Sequence, residues 1–323
     1  MGIASGLKFK APMAWTAETL DPKDGHLTLS EHCITELRAL TSLIKANPVS
    51  TLTLSPKDFN LQACRKAMKR AKHLLAKGPG FVLIDRLPLE EMTRVDAVSA
   101  YWVLSSLLGR PVAQKWDGSM IYEVSDCSGQ APGNGIRPDI TNAEQGFHTD
   151  NAYNLSPPDY VALLCLHPAK LGGISRIVNL NAAHELMRRH HPSLLPRLYK
   201  PYIWDRQMEH RKQDDKFLSR PVFAVKNAGI CARLGNRLIR QGYTIAKAEM
   251  DEEGRSALEA LYTILDDRSL YKEFLFKPGQ IQIVDNQFIG HKRTSFEDWP
   301  EKNRKRRLVR LWIRNGGKVF YNG

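Results

Sequence analysis

The sequence beyond Val112 consists of short apolar segments separated by turn residues, and this pattern restricts the fold most. Each segment is rich in β-branched, aromatic or other apolar residues, and glycine, proline, asparagine and aspartate lie between the segments. Many short strands joined by turns favour a sandwich or jelly roll. The predicted strands are 120–124, 160–166, 174–178, 221–225, 271–276 and 281–284.

A further strand is predicted over residues 306–314, where the side chains alternate with a period of two. Arg306 and Arg310 are four positions apart and therefore lie on one face. If that face is turned to the interior, each guanidinium needs an anion, and a carboxylate fits its fork. The alternative is an edge strand with a solvated basic face. A register shifted by one residue would exchange Arg306 for Arg307, but the spacing from Arg310 favours Arg306.

The first part of the chain predicts helices instead of strands. Ser55 to Asp58 has the pattern of a capping box with proline at the first helical position, and Gly78 marks the end of that helix. We predict one domain over residues 1–323, of a mainly β, α+β class. In it a mostly helical part, 1–110, packs on a β core, 111–323. The other predicted elements outside the main series of strands are a strand at 81–85 and helices at 93–108, 182–189 and 250–265.

Composition narrows the class of protein. Hydrophobic residues make up 42% and charged residues 25%, as in globular proteins. The apolar runs are too short to cross a bilayer, and the N-terminal residues lack a signal-peptide core, so we expect a soluble, cytoplasmic protein without a membrane partner. Five scattered cysteines without a Cys-x-x-Cys pair fit a reducing compartment.

The net charge of 47 − 34 = +13 raises the question of a nucleic-acid partner. The basic residues are spread along the chain and lack the interleaved aromatic residues that stack on bases. We therefore predict solvated basic faces with an attraction for small anions, and no nucleic-acid partner. A nucleic-acid-binding protein remains the third-ranked alternative. The sequence leaves open whether the chain forms a homo-oligomer.

His148, Asp150 and His291 form a candidate metal site. Residues i and i+2 of a strand project to the same face, so His148 and Asp150 can present one nitrogen and one oxygen to one ion. His291 follows a predicted strand far along the chain. Two histidines and one carboxylate are the ligand set of the facial triad that holds Fe(II). Taken singly, the pair is also compatible with a surface or capping role, and the lone histidine with a structural one.

These residues and their neighbours resemble the taurine dioxygenase-like (TauD/TfdA) family of Fe(II)/2-oxoglutarate-dependent oxygenases. The resemblance covers roughly residues 109–314, about two thirds of the chain. It rests on four segments that occur in the family's order: 146–150, 168–175, 290–298 and 306–310.

The resemblance implies a double-stranded β-helix core of the jelly-roll, cupin-like kind. It implies that His148, Asp150 and His291 hold Fe(II), that 2-oxoglutarate is the co-substrate and that O₂ is the oxidant. Arg306 and the hydroxyl of Ser175 would bind the distal carboxylate of 2-oxoglutarate; the family usually has threonine at the serine position.

The resemblance also bears on the type of oxidation. Related halogenases have a small residue where this chain has Asp150, so hydroxylation, or a related desaturation or ring closure, is expected. Arg310 matches a family position that helps to hold the co-substrate or binds an anionic group of the substrate. A cupin-like metal- or anion-binding protein without turnover is the alternative from another functional class.

The substrate is predicted to be a small carboxylate-bearing or zwitterionic molecule such as an amino acid. Arg310 would bind its anionic group, and Asn151, Tyr153 and Tyr122 would line its pocket. Residues 125–146 form a long segment rich in turn residues, and we predict that it is a lid over the substrate. We predict a second lid over residues 204–220. Acidic residues near the first lid would balance an amine: Glu123, Asp126, Asp139 and Glu144.

Overall fold

A computed structural model describes residues 13–127, 136–226 and 229–323 of the chain. In these ranges it contains six α-helices and several short 3₁₀ turns. The helices are α1 (Glu31–Ala46), α2 (Gln62–Lys77), α3 (Arg94–Ser106), α4 (Leu180–His190), α5 (Asn236–Ala246) and α6 (Glu252–Leu265). No helix in the described ranges is both long and apolar enough to cross a membrane.

Seventeen short strands make up the sheets of the described chain. They are β1 (His26–Leu27), β2 (Phe81–Ile84), β3 (Arg110–Val112), β4 (Tyr122–Val124), β5 (Gln145–His148), β6 (Tyr160–His167), β7 (Leu171–Gly172), β8 (Ser175–Asn179), β9 (Tyr202–Asp205), β10 (Phe217–Arg220), β11 (Phe223–Lys226), β12 (Gly229–Ala232), β13 (Tyr271–Phe274), β14 (Ile281–Asp285), β15 (Ile289–Arg293), β16 (Phe296–Glu297) and β17 (Arg307–Arg314).

Two sheets form the core and enclose the site. The larger sheet has the order β1-β2-β14-β6-β17-β3, with β4 also paired to β17, and only the β1–β2 pair is parallel. The smaller sheet has the order β13-β8-β15-β5 and is antiparallel throughout. Two facing antiparallel sheets of short strands confirm the predicted double-stranded β-helix, or jelly roll.

Helices cover the outer face of the larger sheet. The helices α1, α2 and α3 pack on one another and on β2, β6, β14 and β17, where they bury a continuous apolar cluster. The side chains of Val309, Leu311 and Ile313 belong to this outer cluster, while Arg310 and Trp312 face the space between the sheets. Both faces of β17 are therefore covered, and every residue after Arg307 in this strand is buried. The alternative of a solvated edge strand is wrong.

The predicted helix start at Ser55 differs in the structure. The capping box is present, but it closes only a 3₁₀ turn, Pro56–Asp58, and Phe59 is extended with φ −131° and ψ 147°. The helix α2 begins later because Glu36 of α1 accepts hydrogen bonds from the backbone N–H groups of Ala63 and Cys64, at 2.8 and 2.9 Å. A carboxylate at a helix N-terminus satisfies donors that would otherwise be unpaired.

The six predicted strands of the main series are present, with ends shifted by a few residues. The predicted helices at 93–108, 182–189 and 250–265 correspond to α3, α4 and α6, whereas α1 and α5 had no predicted helix with stated bounds. The two ends of the predicted second lid at 204–220 form the hairpin of β9 and β10, and the side chain of Trp204 is fully buried. Gln207, between the two strands, lines a pocket beside Asp150, and the role of the segment as a lid stays a prediction. Two of the scattered cysteines, Cys33 and Cys64, meet in the helical layer with their sulfur atoms 2.8 Å apart.

Candidate metal and co-substrate site

The three predicted metal ligands come together at the inner face of the smaller sheet. His291 of β15 lies directly opposite His148 of β5, and the two imidazole centroids are 4.2 Å apart. Asp150 follows β5, and its Oδ1 lies 3.5 Å from Nε2 of His148 and 3.4 Å from Nε2 of His291. One donor atom from each residue lies within 4.8 Å of the other two, so a single ion can contact all three.

The hydrogen bonds of the ligands leave the right atoms for a metal. Nδ1 of His148 donates to the carbonyl of Gly146 at 2.9 Å, so Nε2 carries the lone pair that points to the site. The side-chain amide of Gln145 donates to this Nε2 at 3.0 Å, and a metal ion bound there would displace this hydrogen bond. The backbone of Asp150 exchanges two hydrogen bonds with the side chain of Asn286, at 2.8 and 2.9 Å. The buried amide therefore fixes the chain at the turn that carries the carboxylate.

The far oxygen of Asp150 is held from the larger sheet. The indole of Trp312 donates to Oδ2 at 2.6 Å, and Nη1 of Arg310 lies 3.2 Å from the same oxygen. Burial alone would raise the pKa of Asp150, but the charge of Arg310 and the two neighbouring histidines hold the pKa well below its usual value. The carboxylate is thus ionised, with Oδ1 directed at the two imidazoles.

The imidazole of His291 is kept in the form that binds metal ions. Burial, followed by the proximity of His148, lowers the pKa of His291, and Asp150 only partly opposes this effect. A neutral imidazole and an ionised carboxylate are the protonation states that metal binding requires. The two nitrogens and one oxygen of this site fit the facial triad expected for Fe(II).

A second cavity adjoins the triad and contains the predicted co-substrate residues. It is lined by Ser175, Arg306 and Arg310 together with the two histidines. Arg306 is 4% exposed, and its Nη1 is buried without a hydrogen-bond partner. The hydroxyl of Ser175 donates to Oε1 of Gln282 at 2.8 Å. A buried guanidinium with a free donor beside a hydroxyl and a metal site fits a 2-oxo dicarboxylic acid.

The neighbouring residues Arg306 and Arg307 point to opposite sides of their strand. Arg306 lines the cavity, whereas Nε of Arg307 lies 3.4 Å from a carboxylate oxygen of Glu123 on the other side of the strand. Glu123 also pairs with Arg94 of the helical layer. Of the four acidic residues predicted to balance an amine, Glu123 is therefore directed elsewhere, and Asp139 and Glu144 line the larger pocket beside the triad.

That larger pocket has a volume of about 420 Å³ and opens next to His148 and Asp150. Asn151 and Tyr153 line it, as predicted for substrate contacts, and Tyr122 does not. The ring of Tyr122 instead packs against the guanidinium of Arg310, 4.8 Å away. Of the predicted lid at 125–146, residues 128–135 lie outside the described ranges, and the part after them contributes Asp139 to the pocket wall.

Arg310 already has partners within the protein. Besides Asp150, it donates from Nε to Oε1 of Gln114 at 2.8 Å, and its Nη2 lies 3.9 Å from Asp139. Gln114 is itself fixed, because its amide donates to the backbone carbonyls of Met120 and Arg310. Arg310 therefore holds Asp150 and lines both cavities at once.

Several residues of the site were not identified from the sequence. The alternation along β17 predicts that Trp312 shares the face of Arg310. Nothing in the sequence predicts the hydrogen bond of Trp312 to Asp150. The others come from distant segments, and only the fold brings them to the site. They are Asn286 beside Asp150, Gln114 beside Arg310, Arg237 and Tyr321 in the larger pocket, and Arg293 in the smaller cavity.

Comparison with known proteins agrees with this geometry. FR-33289 synthase of Streptomyces rubellomurinus is 24% identical over 309 residues, covering 94% of this chain and 89% of the relative. Among solved structures, asparagine oxygenase in complex with Fe(II), 2S,3S-3-hydroxyasparagine and succinate superposes with a TM-score of 0.63 at 20% identity, over 90% of this chain and 94% of that chain.

A second solved structure is the non-heme iron oxygenase OrfP in complex with Fe, succinate and (3S)-hydroxy-L-Arg. It has a TM-score of 0.68 at 15% identity, over 90% of this chain and 94% of that chain. At these identities the structures establish the shared fold. The family model "Taurine catabolism dioxygenase TauD, TfdA family" matches residues 39–312. The chain therefore belongs to the TauD/TfdA family and is an iron- and 2-oxoglutarate-dependent dioxygenase.

Proposed function

We propose that this dioxygenase hydroxylates a small zwitterionic molecule, with an amino acid as the substrate class. The reaction would couple the oxidation of one substrate C–H bond to the decarboxylation of 2-oxoglutarate, which yields succinate and CO₂. The observation that carries the substrate class is the presence of both signs of charge in the pocket beside the triad.

Asp139 and Arg237 provide the two charges. Asp139 is buried, lines the pocket, and has as its ion-pair partner within the described chain only Arg310, at 3.9 Å. Arg237 lies at the start of α5 and donates to Gln241 at 2.9 Å, and none of the described acidic residues lies within 4.0 Å of it. A carboxylate can bind an ammonium group and a guanidinium can bind a carboxylate, so the two together suit a zwitterion.

The residues of the triad and the smaller cavity have separate roles in this proposal. His148, Asp150 and His291 would hold Fe(II), which supplies the activation of O₂ when 2-oxoglutarate is bound. Arg306 and Ser175 would bind the distal carboxylate of 2-oxoglutarate. The carboxylate at position 150, which halogenases of the superfamily lack, favours hydroxylation or a related C–H oxidation over halogenation.

The C-terminal segment closes one side of the pocket. The hydroxyls of Tyr153 and Tyr321 are hydrogen-bonded, and Tyr321 also donates to Oδ1 of Asn151 at 3.1 Å. The ring of Tyr321 stacks on Trp312, with centroids 6.2 Å apart. This wall would shield the reacting C–H bond from water, and exclusion of water protects a strong oxidant from side reactions.

Two of the similar structures support an amino-acid substrate. The asparagine oxygenase structure contains hydroxyasparagine, and the OrfP structure contains hydroxyarginine. Each of these bound molecules is a small zwitterion, and a pocket of mixed charge suits the same class.

The test combines binding and turnover. The Fe(II)-loaded protein would first be titrated with 2-oxoglutarate without O₂, and the visible charge-transfer band of the chelate recorded, with His291→Ala as the control. Succinate formation would then be measured with amino acids, aryloxyacetates, sulfonates and uncharged molecules. We expect a band in the wild-type protein only, and substrate-dependent succinate with amino acids.

Two pocket variants refine the substrate class. Asp139→Asn and Arg237→Gln should raise KM for the amino acid, while Arg240→Gln, an exposed arginine on the same helix, should not. Turnover with an uncharged molecule alone would contradict the zwitterion proposal. A metal-loaded protein that forms no chelate and no succinate would instead indicate a cupin-like binding protein without turnover.

A further inference from the structure

Two buried arginines lie side by side in the smaller cavity. Arg293 of β15 and Arg306 both line it, and both guanidinium groups pack on the ring of Phe296, at 4.8 and 5.0 Å. Arg293 is 7% and Arg306 is 4% exposed. Within the described chain, neither has a carboxylate within 4.0 Å of its guanidinium. Two like charges are thus buried together without a carboxylate in ion-pair contact, although Asp139 also lines the cavity.

The free donors of this pair point to a missing partner. Nε and Nη1 of Arg293 and Nη1 of Arg306 are buried and have no hydrogen-bond partner. Burying a charged donor without a partner is costly, and most buried polar groups are hydrogen-bonded. The cavity is therefore complete only when an anion with several acceptor atoms occupies it.

The register of the sheet places Arg293 next to the metal ligands. It lies two residues beyond His291 on β15, so both side chains are on the same face. Its neighbours across the sheet are Ser175 of β8 and Gln145 of β5. The row Ser175–Arg293–Gln145 is therefore directly adjacent to the row that contains His291 and His148.

Electrostatics favour a bound anion between the two arginines. Both guanidinium groups line one cavity and pack on the same ring, so their positive charges repel each other. Burial, and then repulsion from Arg293, lowers the pKa of Arg306 to about 9. A carboxylate placed between the two guanidinium groups would remove this repulsion, and its two oxygens offer about four acceptor sites.

We propose that Arg293 is a second arginine of the co-substrate site, and that its Nε and Nη1 bind the distal carboxylate of 2-oxoglutarate together with Arg306 and Ser175. This inference rests on the proposed function of the site. It assigns a binding role to a residue that lies in the segment of His291 but contributes nothing to the triad itself.

A purely structural role is the competing explanation. Nη2 of Arg293 donates to the backbone carbonyls of Pro138 and Ala143, which belong to the described part of the first predicted lid. Arg293 would then only tether that segment to the sheet. The tether uses Nη2, whereas the proposed binding role uses Nε and Nη1. A ligand without the distal carboxylate therefore tests the binding role alone.

The experiment compares two keto acids in anaerobic, Fe(II)-loaded protein. 2-Oxopentanoate has the same chelating head and chain length as 2-oxoglutarate but lacks the distal carboxylate. Arg293→Met should weaken 2-oxoglutarate binding at least about tenfold, as expected for a lost charge-assisted hydrogen bond, and leave 2-oxopentanoate binding unchanged. The affinity of Arg293→Lys for 2-oxoglutarate should lie between those of the wild-type protein and Arg293→Met, because lysine keeps the charge but lacks the forked guanidinium.

Arg307→Met is the matched control, because it removes a neighbouring arginine that pairs with Glu123 outside the cavity. It should leave both affinities unchanged. Equal weakening of both keto acids in Arg293→Met, or unchanged affinity for 2-oxoglutarate, would overturn the proposal. If Arg293→Met does not fold, the same comparison with Arg293→Lys decides. A wild-type protein that binds Fe(II) but forms no chelate with 2-oxoglutarate would refute the proposed function itself.

Discussion

The indole nitrogen of Trp312 donates a 2.6 Å hydrogen bond to Oδ2 of Asp150, the oxygen directed away from the two histidines. This bond fixes the rotation of the carboxylate, so that Oδ1 stays 3.4 Å from Nε2 of His291. Partners that orient a metal ligand in this way commonly change metal affinity when they are removed. Trp312 is therefore a positioning residue for the metal site, although it is not a ligand.

Trp312→Phe should weaken Fe(II) binding by about 10- to 100-fold, because phenylalanine keeps an aromatic side chain but lacks the N–H donor. The dissociation constant of Fe(II) in the absence of O₂ is the measurement. Trp299→Phe is the control, since Trp299 packs against Arg304 outside the site. Equal Fe(II) affinity in Trp312→Phe and the wild-type protein would show that Arg310 and Asn286 suffice to orient Asp150.

The hydrogen bond between Trp312 and Asp150 shows which parts of the site can be predicted from the sequence and which cannot. Alternation along 306–314 correctly indicates that Arg306, Arg310 and Trp312 share a face. It does not indicate what lies opposite that face, because the pairing of β17 with β6 and the position of the smaller sheet depend on contacts between distant segments. The spacing of His148 and Asp150 was informative for the same local reason, whereas the pairing of His148 with His291 needs the folded sheet.

Helix starts were missed where a distant residue supplies the cap. The helix α5 follows Gly235, which has no capping side chain, and the hydroxyl of Tyr262 accepts the N–H groups of Gly235 and Asn236. The helix α2 likewise relies on Glu36. Local sequence rules predict a helix start from its own residues, so a cap from another helix is invisible to them.

Ser175→Ala should weaken 2-oxoglutarate binding several-fold to about tenfold, since it removes one hydroxyl from the proposed carboxylate site. In the protein without 2-oxoglutarate, it should also lower the free energy of unfolding by about 1–3 kcal/mol, because the buried carbonyl of Gln282 loses its donor. Anaerobic titration of the chelate band and urea unfolding measure the two effects. Ser175→Thr keeps the hydroxyl and should preserve binding; a loss as large as that of alanine would argue against the role of the hydroxyl.

Gly172→Ala should destabilise the fold by about 2 kcal/mol or more, because two independent costs add. The residue has a φ of +73°, and an added Cβ would lie 2.3 Å from the carbonyl oxygen of Ser295. Urea unfolding is the measurement. Gly316→Ala is the control, since no heavy atom would lie within 4 Å of its Cβ. A stability change no larger than that of the control would mean that the paired strands β7 and β16 can rearrange.

His184 makes the stability of the protein depend on pH. The side chain of His184 is fully buried, and its Nε2 lies 2.7 Å from the hydroxyl of Tyr199. Burial lowers the pKa of His184 to about 4. In the unfolded chain the pKa is about 6.5. Between these values the unfolded state binds a proton that the folded state excludes, so stability is lost as the pH falls from about 6.5 towards 4.

At pH 5 this difference corresponds to about 2 kcal/mol of lost stability from His184 alone. His184→Gln should be less stable than the wild-type protein at pH 7.5, because the packing changes, but its stability should fall less between pH 7.5 and pH 5. Urea unfolding of metal-free protein at the two pH values measures this, with the exposed His32→Gln as the control. If His184→Gln loses as much stability as the wild-type protein over this range, the acid sensitivity arises from other groups, because glutamine cannot take up the proton.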